Sequence, residues 1–571
     1  MKINLLDKFK ALDDRISGFT PTIITEEEYE LYEDMSENGF IKTPKWIVYL
    51  YKKKSKDNVL CFMVAISTYI EIISCQQNLS TKERSYCVKI FDGNENVMLT
   101  LDSSILTSAG TRKLLQHGCV FDESNLRYLL QYLAISACNA PIEYVHTGVG
   151  WLSHNDAPVY LSSESIGNSE TKSKYIGGMY ITPKGSKNDY LKMLDAEVIG
   201  NSTLEFGFVL AHSAPILGYL NKCFDLGCLI FNFGNSSSKG KTTAGMLIAS
   251  AFGNPAIGKS LVSTLDGTEQ SLVTFVANAD SHPVVLDELG TASTKNVRRL
   301  LYQFASGKER SRNDKEGNNK KSRTFNNVIV TTSEFPIIDE TAPDGVRARV
   351  FQISSDITSS AQNADNIKKC VYSNYGHTGI EFVKFIVTNK LDSIIEDYEN
   401  DYTALIDVYE NNDLAIGKLT KRILSKLAVI LLTARYLREC FPLDISLKSI
   451  VKTIIELERS VAEEQDVSEK ALDCIRQYVA THKSHFIFGC DEWVSTVEGK
   501  VRGSGSGREL IILKSTVEKI LKDNGFENCK TIYQMWSDKK ILVREKDRPY
   551  KRLRLVTSLP TMPCFIFKIT D

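Results

Sequence analysis

The sequence lacks the marks of an exported or membrane-spanning chain. No apolar run approaches the roughly 20 residues that a bilayer requires, which excludes a spanning helix from the reading and with it a membrane partner. The start, Met1 to Lys8, meets Lys2, Asp7 and Lys8 too early to build the uninterrupted apolar core of a secretory signal, so a cytoplasmic location is expected. Cysteine pairing is missing as well: the 13 cysteines are odd in number, none forms Cys-x-x-Cys, and the closest two are Cys223 and Cys228. Neither a disulfide framework nor a local zinc site is therefore expected, and the 8 histidines add no metal-ligand spacing beside a cysteine pair. An excess of either charge is also absent. With 69 Lys and Arg against 70 Asp and Glu, the chain is not a uniformly basic nucleic-acid binder, and any such contact must come from local patches. No internal repeat is visible at solenoid periods.

At 571 residues the chain is several times the usual domain size and is expected to fold as three or four units. Residues 1–195 read as an α+β accessory domain, with β-rich runs such as Trp46 to Tyr51 and Val88 to Phe91 and a helix from Asn125 to Ser136. The acidic Glu26-Glu27-Glu28-Tyr29-Glu30 reads as a solvated helix face. Residues 196–355 alternate apolar strands with helical segments, the pattern of a parallel sheet wrapped by helices. Residues 356–490 are helical. Residues 491–571 read as a linker, centred on Arg502-Gly503-Ser504-Gly505-Ser506-Gly507, and a final small unit from about 508.

The chemistry concentrates in the second region. The apolar Cys228 to Phe233 runs into Gly234-Asn235-Ser236-Ser237-Ser238-Lys239-Gly240-Lys241-Thr242-Thr243, and a helical segment follows. A phosphate group needs unobstructed backbone N–H donors, the positive end of a helix dipole, a flexible ammonium and a hydroxyl for Mg²⁺. The small loop residues, the helix start, Lys241 and Thr242 supply these, so ATP and Mg²⁺ are the expected ligands. The pattern departs from the usual one in placing Asn235 where the first glycine stands; asparagine tolerates the left-handed backbone the turn needs. Downstream, Pro283-Val284-Val285-Leu286 ends in Asp287-Glu288. Asp287 is expected to orient the metal with Thr242, and Glu288 to polarise the water that attacks the γ-phosphate.

A third apolar strand, Val328-Ile329-Val330, ends in Thr331-Thr332-Ser333, from which Ser333, or alternatively Thr332, is the candidate γ-phosphate sensor. Arg347 and Arg349 precede another strand. Facing a neighbouring subunit, one of them, with Arg349 favoured, would reach that neighbour's γ-phosphate and require a head-to-tail ring. Arg422 in the helical region is a candidate second sensor.

Two patches are basic. The segment from Gly307 to Arg323 holds seven Lys/Arg against three Asp/Glu and reads as a polar hairpin, with Arg310, Arg312, Lys315, Lys320, Lys321 and Arg323 facing DNA phosphates. From Lys530 to Arg554 there are nine Lys/Arg against three Asp/Glu in a helix, turn, helix, β-wing pattern, which predicts a winged helix using Lys530, Lys551 and Arg552 on duplex DNA. A solvated hairpin and a protein-docking winged helix remain the bland alternatives.

Together with Tyr144-Val145-His146-Thr147-Gly148-Val149-Gly150-Trp151 leading into Val159-Tyr160-Leu161, these motifs resemble the AAA+ helicases of bacterial mobile elements, including staphylococcal cassette-chromosome helicases and pathogenicity-island Rep initiators. The resemblance implies an α/β fold with a P-loop AAA+ core, an α-helical lid, an α+β N-terminal domain and a C-terminal winged helix. It further implies a hexameric homo-oligomer, an MCM-like motor that translocates on single-stranded DNA, 3′ to 5′, and unwinds forked or origin DNA, with self-loading as a replication initiator. On that likeness Lys241, Thr242, Asp287, Glu288, Ser333, Arg349 and Arg422 take the ATPase roles. An ATP-switched origin-binding initiator without processive unwinding and a non-DNA AAA+ remodeller remain the other readings.

Overall fold

The structure, a computed structural model, describes residues 5–54, 58–167, 171–234, 240–264, 267–287, 294–309, 312–313, 319–320, 322–334, 337, 349–412, 414, 416–463, 467–489, 496–503, 508–526, 529–545 and 548–568. The chain divides into two compact units, Met1–Gly178 and Met179–Asp571.

The first unit is built on β-structure. A four-stranded antiparallel sheet runs Thr22–Ile24, Val59–Thr68, Trp46–Lys54, Phe40–Lys42, and a five-stranded mixed sheet runs Ser173–Tyr175, Ile142–His146, Ile70–Asn78, Arg84–Phe91, Asn96–Asp102. Helix Leu126–Asn139 contributes Leu129 and Leu133 to a core with Ile66, Ile70, Val88 and Ile90. The acidic helix Glu26–Glu33 opens on a capping box at Thr25 and buries only Tyr29 and Tyr32, as a solvated face should. In the Gly-Trp segment, strands Gly150–His154 and Ala157–Leu161 pair antiparallel, and Trp151 meets its cross-strand partner Tyr160 edge-on at 5.1 Å.

The second unit carries a five-stranded parallel sheet in the order Val262–Thr264, Pro283–Asp287, Val328–Ser333, Leu229–Gly234, Val350–Ile353. Its three central strands are buried along nearly their whole length, which is why they read as continuous apolar runs rather than as alternation. Helix Lys241–Ser250 lies so close to the sheet that a Cβ on Gly245 would stand 2.9 Å from Val285 Cγ1. Beyond the last strand come helices Ala361–Ser373, His377–Asn389, Ile394–Asn411, Lys418–Cys440 and Leu447–Glu463, the helical region expected there.

Two boundaries differ from those expected. The first unit ends at Gly178 rather than at 195, because the chain after it is tied into the second unit: Ser186 N donates to Asn374 Oδ1 at 2.6 Å, and Lys187 pairs with Glu381 at 2.9 Å. The second difference corrects the linker. Strand Gly499–Arg502 pairs antiparallel with Glu509–Leu513, so the Gly/Ser-rich stretch joins two neighbouring strands of one sheet instead of two domains. That sheet runs Phe486–Phe488, Gly499–Arg502, Glu509–Leu513, Met562–Lys568, Lys551–Leu553. Helix Val467–Thr481 packs with it, placing Ala471, Leu472 and Ile475 in one core with Trp536, Phe565 and Phe567, and Trp536 Nε1 donates to Ser468 O at 2.7 Å. The C-terminal domain therefore starts near 467.

A fragment of residues 466–571 is expected to melt cooperatively by circular dichroism, whereas 491–571, stripped of the helix that fills this core, is expected to show no cooperative transition. Equal melts of the two fragments would refute this boundary.

Candidate functional site

The parallel register decides which polar groups meet at the carboxyl ends of the strands. Gly234 is paired with Ser333, and Leu286 with Thr331, so the end of the loop strand, the hydroxyl-rich end and Asp287 arrive at one level. Neighbouring residues on a strand face opposite ways, so Thr332 and Ser333 diverge. Thr332 Oγ1 donates to Asp287 Oδ1 at 2.5 Å, and Thr242 Oγ1, one residue into the helix that follows the loop, donates to Asp287 Oδ2 at 3.4 Å. Asp287 is 5% exposed, and no cation pairs with it among the described residues.

Ser333 belongs to a second network. The buried Asn232 carries it: its Nδ2 donates to Ser333 Oγ at 2.9 Å and to Gln352 Oε1 at 3.1 Å, and its Oδ1 accepts from Thr331 Oγ1 at 2.9 Å. Asn232 and Gln352 were not among the expected residues. An asparagine inside an otherwise apolar strand was the available signal, since a buried amide must find partners.

Gly240 opens the helix with φ +87, and a Cβ there would stand 2.5 Å from the Thr358 side chain, so both conformation and space demand glycine. Lys241 is the first helical residue and Thr243 is buried behind it. The expected loop residues Asn235, Ser236, Ser237, Ser238 and Lys239 lie outside the described residues, as do Glu288, Arg347, Arg310, Lys315 and Lys321. What is described, a helix N-terminus beside one buried carboxylate and two hydroxyls, is a hard-oxygen set that fits Mg²⁺ completed by phosphate oxygens and water. Among the described residues no cluster of His, Cys, Asp and Glu could hold a metal without such help.

Arg349 stands at the other end of the sheet. Its carbonyl accepts from Ile230 N at 2.9 Å, four residues and roughly 13 Å of strand before Gly234. The guanidinium runs along Gly227, where a Cβ would lie 3.3 Å from Arg349 Nε. Lys426, 1% exposed, reaches the same place from helix Lys418–Cys440 and donates to Leu226 O. Burial, then the charges of Arg349 and Arg422, push its ammonium down to about 7. The structure thus gathers Arg349, Arg422 and Lys426 remote from the Asp287 cluster of the same chain, a grouping that sequence order did not reveal.

In the hairpin region Arg312 pairs with Lys320 and Asn313 with Asn319, so the described strands of the expected hairpin run antiparallel, and its tip lies outside the described residues. Arg323 sits at its base and is engaged on both sides: Nε and one terminal nitrogen grip Glu309 at 2.9 Å each, and the other donates to Asn278 at 2.8 Å. This fork holds the Glu309 carboxyl below its usual range and makes Arg323 a clamp on the hairpin base.

In the C-terminal domain helices Lys514–Asp523 and Cys529–Asp538 form the helix–turn–helix, with Ile532, Tyr533 and Trp536 inward and Lys530 exposed. Lys551 and Arg552 lie on the edge strand. Lys530 shares an open cavity of about 380 Å³ with Arg544, Gln534, Tyr550 and the ion-paired Lys514 and Glu518, and Lys514 is a cation that the sequence pattern did not single out.

Residues 40–324 match the family described as a domain of unknown function, DUF927, and residues 466–571 match the Cch helix turn helix domain, whose start agrees with the boundary seen in the fold. Among solved structures, the chain is similar to one described as SCCmec type IV Cch, active helicase, at 22% identity and a TM-score of 0.73, covering 93% of this chain and 98% of that one. No curated protein matches in sequence. The chain resembles Cch-type proteins over nearly its whole length and shares their fold.

Because Lys426 is held less basic folded than unfolded, the unfolded chain binds the extra proton above pH 7, and stability attributable to this group must rise with pH there. Denaturant unfolding is expected to show Lys426→Met losing, relative to the native chain, about 1 kcal/mol per pH unit of that rise between pH 7 and 8.5. Parallel pH slopes would refute a charge-penalised Lys426.

Proposed function

We propose that this chain is an ATP-driven DNA helicase of the AAA+ type that works as a ring, hexameric by analogy, on single-stranded and forked DNA. The observation that carries the reading is the convergence of Thr242, Asp287 and Thr332 at the N-terminus of helix Lys241–Ser250. Lys241, at the start of the helix, would hold the phosphates of ATP together with the helix N-terminus. Thr242 and Asp287 would hold Mg²⁺, which neutralises charge developing on the phosphates. Thr332 fixes the Asp287 carboxylate, a positioning role. Ser333, held by Asn232 level with the start of the loop, senses the γ-phosphate, and Glu288 orients the attacking water.

Arg349 lies too far along the sheet to serve its own site, and Arg422, on helix Lys418–Cys440, gathers with it beside Lys426, which supports a role for both at the site of the next subunit. A head-to-tail contact of this kind closes into a ring. The DNA is gripped by the basic hairpin around Arg312, Lys315, Lys320 and Lys321, by charge and without base reading. The helix–turn–helix, with Lys530, Lys551 and Arg552, engages duplex and gives the motor a means of loading at an origin. Likeness to a Cch protein described as an active helicase favours this reading over an initiator that remodels DNA without unwinding it.

In a strand-displacement assay on forked DNA the native chain is expected to unwind in the presence of ATP and Mg²⁺, and Lys241→Ala and Glu288→Gln to reduce unwinding at least 100-fold. Hydrolysis without unwinding on forks with either tail would overturn the motor. Arg349→Ala alone is expected to lose ATPase, and mixing it with Lys241→Ala subunits to restore part of the rate. Mixtures no more active than their components would exclude a trans-acting Arg349.

A further inference from the structure

The C-terminal domain has a groove that the DNA reading does not use. A cavity of about 290 Å³ opens between helix Val467–Thr481, the end of strand Phe486–Phe488, the hairpin strands Gly499–Arg502 and Glu509–Leu513, and the end of strand Met562–Lys568. No residue of helix Cys529–Asp538 or strand Lys551–Leu553 lines it. Its floor is apolar: Leu472, Val501, Leu510 and Phe567, with Val479 on the wall. Phe488 stands at the edge, 44% exposed, although Phe486 and Ile487 just before it are buried in the domain.

The rim has the opposite character. Arg476, Lys483, Arg508 and Lys568 surround the opening. Arg476 is ion-paired with Glu469 and Asp473 at 2.8 Å each, whereas Lys483, Arg508 and Lys568 pair with no carboxylate among the described residues. Three exposed cations of this kind beside an apolar floor specify a ligand with two properties at once. It must offer anionic groups at the rim and a bulky apolar side chain for the floor. A nucleic-acid backbone satisfies only the first, because its phosphates lose hydration over an apolar floor without gaining a donor there. An uncharged apolar segment satisfies only the second and leaves the rim field unused.

We propose that this groove docks an acidic linear peptide of a partner protein, anchored by one large apolar side chain. The side chain enters between Leu472, Val501 and Leu510, where withdrawing its apolar surface from water favours binding. Carboxylates flanking it meet Lys483, Arg508 and Lys568, which fix its direction and speed its capture. Bound there, a partner would be tethered to the domain while helix Cys529–Asp538 stays free for DNA, so docking and duplex binding are independent of one another.

The test is fluorescence anisotropy of the full-length chain with a labelled peptide of four aspartates followed by leucine and phenylalanine. Binding is expected to weaken at least tenfold when the last two residues are replaced by serines, and at least tenfold when the aspartates are replaced by asparagines. Lys483→Glu combined with Arg508→Glu should produce a similar loss, and so should Phe488→Ser, at a position 44% exposed, with a melting transition expected to match that of the native chain. Duplex binding should be unchanged in all of these variants. Absence of peptide binding, equal binding of the neutral or serine peptide, or indifference to the groove substitutions would each overturn the proposal. So would displacement of the peptide by a single-stranded oligonucleotide whose own binding falls with the Lys483/Arg508 variant, which would make the groove a nucleic-acid surface.

Discussion

The in-register parallel pairing of Leu229–Gly234 with Val328–Ser333, and of the latter with Pro283–Asp287, is the constraint on which the candidate site depends. Strands run the same way only when crossover segments return the chain to the same edge, so the polar residues that end each strand accumulate on one side of the sheet. A carboxylate, three hydroxyls and a helix N-terminus are collected there by topology, though Lys241 at the helix start and Ser333 lie 92 residues apart in sequence. A register slip of one residue would exchange Thr332 for Ser333 beside Asp287 and break both hydrogen-bond networks together.

The same sheet is electrically polar from end to end. Its carboxyl end holds Asp287 beside hydroxyls, and its amino end holds Arg349 with Lys426 and Arg422 close by. Keeping a lysine 1% exposed next to two guanidinium groups is unfavourable for the isolated chain, as its lowered proton affinity records. A net charge of −1 conceals this separation.

The C-terminal domain shows a second use of segregation. Lys530 and the cavity with Lys514 and Arg544 belong to the helix–turn–helix, whereas Lys483, Arg508 and Lys568 rim an apolar groove lined by other elements. The Gly/Ser-rich stretch after Arg502 that composition reads as a linker connects two paired strands of this domain, because composition alone does not distinguish a connection within a domain from one between domains.

Local chemistry was legible without coordinates. The loop strand, the acidic strand, the strand ending in hydroxyls, the basic hairpin and the two helices after Leu513 were all readable, since each is announced by contiguous residues whose periodicity or turn content has a physical cause. What tertiary structure alone decided was partnership. Asn232 became the hub for Ser333 and Gln352, Thr332 rather than Ser333 faced Asp287, and Arg349 met Lys426 across 77 positions of sequence. Arg323 was fixed as a clamp by a glutamate 14 residues away, and helix Val467–Thr481 joined the last domain because Trp536 needed a wall and an acceptor. Such choices depend on which faces burial brings into contact, and a one-dimensional pattern states that a face is apolar or charged without stating what will be set against it.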